Sequence, residues 1–457
     1  MKTIKMLMLL SSAFAFANIH LPAIFTDNMV LQRNSEVTIW GNASPKEEIT
    51  LTADFLDKEY KATTGNGAVF KITFPTPKEG GPYKISLKGY NEIILNNVML
   101  GEVWLVSGQS NMEMSAAWGI SDGEKETAEA NFPNIRLFTV EKAAAEFPQN
   151  NFFGSWTTCT PETMKNFSAV GYFFARNLQD DLKGVPIGII SAAWGGSSAE
   201  LWTPNNVFSE KKELLENYKK LSVSEYYPAQ ISSAYNAMIS PAKDYKIKGV
   251  LWYQGETNTG NPDLYSELLS SMIESWRKER GYEFPFYIVQ IAPYETWGFS
   301  GAKIRNEQRL TAEKVPQSGL VVISDFSPAD DLHPKNKKQV GIRLANLVAQ
   351  EVYKINKGLV KSPEWKNIDF QKGKAVATLD FADGLYFKNK TSDLFELAGE
   401  DGKFYPAKAM IKNNKIIVES PEVKNPVKLR YAWKNTAVPD LFNKANLPAS
   451  TFSSEYP

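Results

Sequence analysis

Five short apolar runs in the middle of the chain limit its fold more than any other feature. They are Val103-Trp104-Leu105-Val106, Ile187-Gly188-Ile189-Ile190, Val250-Leu251-Trp252-Tyr253, Phe286-Tyr287-Ile288-Val289 and Leu320-Val321-Val322-Ile323. Each is followed by glycine or small polar residues. Helical periodicity intervenes, as in Tyr172 to Leu182 and Asp263 to Arg277. A strand with one wet face alternates polar and apolar residues. A run that is apolar throughout is expected of a parallel strand buried on both faces. Five such units predict a doubly wound α/β sheet of five parallel strands, with ligands bound beyond their carboxyl ends.

The flanks read differently. Residues 18–99 carry short alternating runs such as Val37-Thr38-Ile39-Trp40 and Tyr83-Lys84-Ile85-Ser86-Leu87, broken by turn signals at Gly41-Asn42 and Gly80-Gly81-Pro82. Residues 354–457 repeat that style, with strands expected at Val376–Leu379 and Lys415–Val418 and an acidic turn at Gly399-Glu400-Asp401-Gly402. The division is therefore a β-rich, sandwich-like section at 18–99, an α/β section at 100–353 and a second β-rich section at 354–457. Ahead of these, Lys2 and Lys5 precede an apolar stretch and Ala15-Phe16-Ala17, the pattern of a secretory signal peptide over residues 1–17. Its apolar run falls short of the roughly 20 residues that span a bilayer. A periplasmic or secreted protein with no membrane span in its mature chain is expected. The single Cys159 excludes an intrachain disulfide. The 51 basic and 51 acidic residues balance, and no basic run argues for nucleic acid.

The polar clusters lie where the α/β reading puts a site. Ser107-Gly108-Gln109-Ser110-Asn111-Met112 follows the first run, Trp194-Gly195-Gly196-Ser197-Ser198 the second, Gln254-Gly255-Glu256-Thr257-Asn258 the third, and Asp330-Asp331-Leu332-His333-Pro334 the fifth. The chain has two histidines, and the other, His20, lies just after the leader. Imidazole chemistry therefore falls to His333, and an Asp three residues earlier is placed to aim a carboxylate at one ring nitrogen. Such a carboxylate is expected to raise the imidazole pKa. A serine, a glycine that lets backbone amides approach, a side-chain amide and an Asp/His pair are the parts of a serine ester hydrolase. The Gly-x-Ser-x-Gly elbow of α/β-hydrolases is absent at Ser110, which argues for another hydrolase family. No cluster of His or Cys exists to hold zinc, and the chemistry needs no cofactor.

Gly108-Gln109-Ser110-Asn111-Met112, Trp252-Tyr253-Gln254-Gly255-Glu256 and Asp330-x-x-His333-Pro334 resemble the blocks of the SGNH-type sialate O-acetylesterase family. Leu21–Phe25 with Asp27–Arg33, Arg305-Asn306-Glu307-Gln308 and Arg430-Tyr431-Ala432-Trp433 are similar to its other signatures. The resemblance implies an SGNH-hydrolase, flavodoxin-like three-layer α/β/α domain. It implies Ser110 as nucleophile, His333 as base and then acid, and Asp330, rather than Asp331, as orienter. The oxyanion hole would combine the N–H of Ser110, an N–H from Gly196 or Gly195, and the Gln254 side chain, with Asn258 as the competing amide. Glu256 would hold its loop. Trp118, Trp194, Trp202, Tyr253, Asn258 and Arg305 are candidates to line the pocket. The implied substrate is an acetylated carbohydrate, a sialate ester first and an acetylated xylan second. A non-catalytic carbohydrate-binding protein is the alternative from another class.

Overall fold

The computed structural model describes residues 18–222, 228, 230–295 and 300–455. The leader expected at residues 1–17 lies outside them. No helix among the described residues is long and apolar enough to cross a membrane.

The middle of the chain forms a parallel sheet. From one edge its strands are Ser318–Val321, Phe286–Val289, Gly249–Tyr253, Glu92–Gly108, Ile187–Ala193 and Phe132–Thr139, with Trp156–Cys159 added antiparallel at the far edge. Among the described residues, the parallel strands along this path number six, which corrects the expectation of five. Phe132–Thr139 escapes an apolar-run reading because it contains Pro133, Asn134 and Arg136. Arg136 is nonetheless buried, its guanidinium donating to the carbonyls of Pro133, Asn28 and Asn97 and to the side chains of Asn28 and Asn97.

The apolar runs are uninterrupted because each serves two cores. Leu105, Ile190, Val250, Trp252 and Ile288 face one cluster, closed by Leu268, Leu269, Met272 and Trp276 of the helix Tyr265–Arg280. Trp104, Val106, Ile189, Leu251, Tyr253 and Val289 face the other, closed by the helices Ala169–Asp181 and Lys337–Glu351 through Phe173, Phe174, Leu344 and Val348. Fully burying one such side chain contributes about 1.5–3 kcal/mol, and a polar residue in a run would meet apolar atoms on either face.

The amino-terminal β-rich section is continuous with this sheet. Glu92–Gly108 is one strand of 17 residues. Its first half pairs antiparallel with Gly80–Lys88, Val30–Gln32 then pairs parallel at Met99–Gly101, and its second half lies between Ile187–Ala193 and Gly249–Tyr253. The junction placed at residue 99 thus falls inside a buried strand, and Phe25, Trp40 and Val98 share a core with Leu105 and Trp252. Residues 364–453 contain a seven-stranded antiparallel sheet with its own core around Phe395, Leu397, Val418, Leu429 and Tyr431. The turn expected at 399–402 is closed by the Gly402 N–H donating to the Gly399 carbonyl at 3.0 Å.

Candidate active site

Strand register sets the site. Gly108 lies beside Ala193 on one neighbour and Tyr253 on the other, so the three strands end level. In chain order the strands are laid down first to one side of Glu92–Gly108 and then to the other, which opens a crevice at its carboxyl end. Gly108 takes φ +136°, and a Cβ there would collide with the Tyr253 carbonyl oxygen. Only glycine allows this close approach. The Gln109 N–H donates to that same carbonyl at 3.0 Å, and the chain turns into the short helix Ser110–Glu113.

Ser110 and His333, 223 residues apart, meet in the crevice: Nε2 of the imidazole lies 2.8 Å from the Ser110 Oγ. Trp118, half-exposed, stands edge-on to the imidazole with ring centroids 6.4 Å apart. Asp330 is solvent-exposed, and no hydrogen bond joins it to His333. The carboxylate that bears on the histidine is Asp331, whose Oδ1 accepts from the His333 backbone N–H at 2.9 Å. The His333 pKa is held below its ordinary value, chiefly by burial and next by the Lys337 cation, with Asp331 opposing. This reverses the upward shift expected from the Asp-x-x-His spacing.

Behind the pair lies a buried polar network that sequence reasoning missed. Asn111 Nδ2 donates to Glu256 Oε1 at 2.6 Å and to the Leu332 carbonyl at 3.0 Å, and its Oδ1 accepts from Lys337 Nζ at 2.5 Å. All three side chains are buried. Burial pulls Lys337 down to about 7 against the pull of Glu256 and Asp331, and it pushes Glu256 up. Lys337 also lies over the Tyr253 ring at 5.1 Å. Asn111 therefore ties the serine turn to the residue before His333. Lys337, four residues after His333 on a helix start, carried only its spacing as a signal.

The oxyanion candidates separate cleanly. The Gly195 N–H is engaged, donating to Glu113 Oε2 at 2.7 Å, while Glu113 also pairs with Lys142. Gly196 takes φ +78°, its carbonyl accepts from the Thr257 hydroxyl at 2.7 Å, and its N–H meets no acceptor among the described residues. The Ser110 N–H is likewise unmatched. Gln254 does not present a donor. Its buried Nε2 faces Asn258 Oδ1 at 2.8 Å, Gln109 Oε1 at 3.1 Å and the Ser197 carbonyl at 3.2 Å, and its Oε1 accepts from Tyr265. Asn258 is also consumed internally, by Glu200, Asn261 and the Ala199 N–H.

Four of the expected lining residues turn inward. Trp202 and Tyr253 are fully buried, Trp202 donating to Ser197 Oγ at 2.8 Å, and Asn258 sits in the network just described. Arg305 is 1% exposed and donates to the carbonyls of Lys434 and Asn435 and to the Thr451 hydroxyl. Trp194 is partly exposed. Beside the serine turn a cavity of about 170 Å³ is bounded by Glu113, Ser115, Trp118, Lys142 and Ser191. A larger cavity of about 700 Å³, around Arg33, Glu102 and Tyr353, opens at the amino ends of the strands. Glu102 and Gly108 are separated by about 20 Å of strand at roughly 3.3 Å per residue, so that cavity belongs to no chemistry at Ser110.

A family model for carbohydrate esterases, described as sialic acid-specific acetylesterase, matches residues 100–351. The chain belongs to this family. It is thus a carboxylic ester hydrolase of the carbohydrate esterase class. Among full-length relatives, the sialate O-acetylesterase of Homo sapiens is 27% identical over 455 residues, covering 89% of this chain and 86% of that protein. The mouse enzyme, from Mus musculus, is 28% identical, covering 90% and 89%. A solved carbohydrate acetylesterase from Xanthomonas citri is 35% identical and superposes with a TM-score of 0.86, covering 95% of this chain and 99% of its own.

Proposed function

We propose that this esterase removes O-acetyl groups from sugars through an acetyl-enzyme on Ser110, with sialate esters as the first substrate class. The observation that carries the reading is the 2.8 Å contact between Ser110 Oγ and His333 Nε2 at the carboxyl edge of the sheet. Neutral His333 takes the Ser110 proton as Oγ bonds to the acetyl carbon. The tetrahedral oxyanion forms against the N–H groups of Ser110 and Gly196. The C–O bond to the sugar then breaks, and the sugar oxygen leaves with the proton from His333. Water attacks the acetyl-enzyme in the same way, giving its proton to His333 and releasing acetate and Ser110. Asp331, bonded to the His333 N–H, and Asn111, bonded to the Leu332 carbonyl, hold the histidine in reach.

Acetylated xylan is the second reading, supported by the 35% identity to the carbohydrate acetylesterase of Xanthomonas citri. Acetate release from O-acetylated sialosides and from acetylated xylo-oligosaccharides decides between them, with Ser110→Ala as control. Release from neither panel, or release undiminished in Ser110→Ala, would overturn the proposal. Export to the periplasm or medium is proposed from the leader pattern at residues 1–17.

A further inference from the structure

We propose that the side-chain amide of Gln109 is the third donor of the oxyanion hole, beside the N–H groups of Ser110 and Gly196, and that Gln254 acts by positioning it. The inference rests on the Ser110 reading above and assigns a role to the residue immediately before the nucleophile.

Gln109 is 3% exposed, and its side chain does not cap the helix that follows. Its Oε1 is held by three N–H donors: Gln254 Nε2 at 3.1 Å, the Gly255 N–H at 3.3 Å and the Thr257 N–H at 3.4 Å. These three fix which end of the amide is oxygen, because a flipped amide would set N–H against N–H at every contact. The other end, Nε2, meets no acceptor among the described residues. Nε2 is not one of the fully enclosed side-chain atoms that lack a partner, so it keeps contact with solvent and stands open to an acceptor from outside the fold. The negative oxygen of a tetrahedral intermediate on the adjacent serine is a partner of the right charge.

The surrounding bonds lock this donor to the other two. Thr257, whose N–H holds the Gln109 oxygen, donates its hydroxyl to the Gly196 carbonyl at 2.7 Å. One loop thereby fixes the Gln109 amide against Gly196, and Ser110 is covalently next to Gln109. Gln254 cannot turn a donor outward without breaking its bonds to Ser197 and Asn258. Gln308 reinforces this, donating to the Gln254 carbonyl at 2.9 Å.

The decisive variant is Gln109→Glu. A glutamate keeps the shape and keeps an oxygen for the three N–H donors, so it rescues a purely structural role. It replaces the free N–H with a second acceptor oxygen, so it cannot rescue a donor role. Steady-state kinetics on an acetate ester should show kcat reduced about 100- to 1,000-fold, the usual loss for one oxyanion donor, with KM changed only a few-fold. Gln109→Met, which keeps the length but has no N–H, should give the same split and serves if the glutamate variant does not fold. Gln254→Ala should lower kcat less, and adding it to Gln109→Glu should cost little more, because both act through one group. A folded Gln109→Glu or Gln109→Met enzyme with kcat within tenfold of wild type refutes the assignment. If Ser110→Ala is itself active, the nucleophile reading has failed instead, which the same plate of assays reports separately.

Discussion

Replacing Asn111 with alanine removes three hydrogen bonds made by a fully buried side chain. Two of them reach ionisable groups, Glu256 and Lys337, and the third reaches the Leu332 carbonyl. Net contributions run at about 1.5–3 kcal/mol for a bond to a charged group and about 1 kcal/mol for a neutral one, an upper sum of about 7 kcal/mol. Burial drives Glu256 and Lys337 toward their neutral forms, which moves the two strong bonds toward the lower end. The expected loss is about 4 kcal/mol, within the range for leaving one member of a buried pair unmatched. At roughly 2–4 °C per kcal/mol for a domain of this size, the melting temperature should fall by about 8–16 °C. The catalytic loss should be measured below the new melting transition. It should appear in kcat, because the freed Leu332 carbonyl loosens His333 rather than any substrate contact. Scanning calorimetry beside steady-state kinetics gives both numbers. A fall of less than about 3 °C with kcat intact would falsify the view that Asn111 joins the serine turn to the histidine loop.

Three further outcomes follow from the same geometry. His333→Ala should abolish turnover while His20→Ala leaves it nearly intact, since His20 is exposed and its backbone bridges Asn42 in the amino-terminal section; turnover by a folded His333→Ala protein removes the general base. Neutral imidazole is the working form and its pKa is depressed, so the acid limb of the kcat/KM profile should fall below the usual histidine value of about 6.5. Lys337→Met takes away a cation that depresses it and should move that limb upward; an unmoved limb says that Lys337 is not felt at the ring. Asp330→Asn should retain most activity because Asp330 does not reach the imidazole, whereas a loss near four orders of magnitude would show that the Asp-x-x-His spacing, and not the observed loop, describes the working enzyme.

What could be read from residues alone was whatever depended on periodicity. An apolar run buried on both faces has few alternatives, and the strands it specifies end level, so the polar residues after Val106, Ile190 and Tyr253 had to share an edge. Direction within that edge was not legible. Tyr253 and Trp252 are consecutive in a strand and must point to opposite faces, and because both faces are covered, both are core. Gln254 and Gln109 are the same amino acid, each at a strand end, and which one offers a free N–H is settled by Ser197, Asn258 and Thr257, none of them predictable partners. Lys337 reads as a solvated helix residue until Asn111 and Glu256 are seen beside it. Phe132–Thr139 hides because Arg136 finds its partners in residues about 40 and 108 positions away.

Among the described residues, every side-chain hydrogen bond of Arg305 ends on residues 434, 435 or 451. Its helix also carries Gln308, which holds the Gln254 backbone, and Gln290, just past the strand Phe286–Val289, reaches Ser450 at 2.7 Å. Loops of the carboxyl-terminal section therefore supply the hydrogen-bond partners of a buried cation on the catalytic domain. An engineer who lifted out residues 100–351 as a portable catalyst would strip that guanidinium of these protein partners and open its site to water. Shuffling carboxyl-terminal sections between relatives would have to carry these four anchor points, Lys434, Asn435, Ser450 and Thr451, along with the graft.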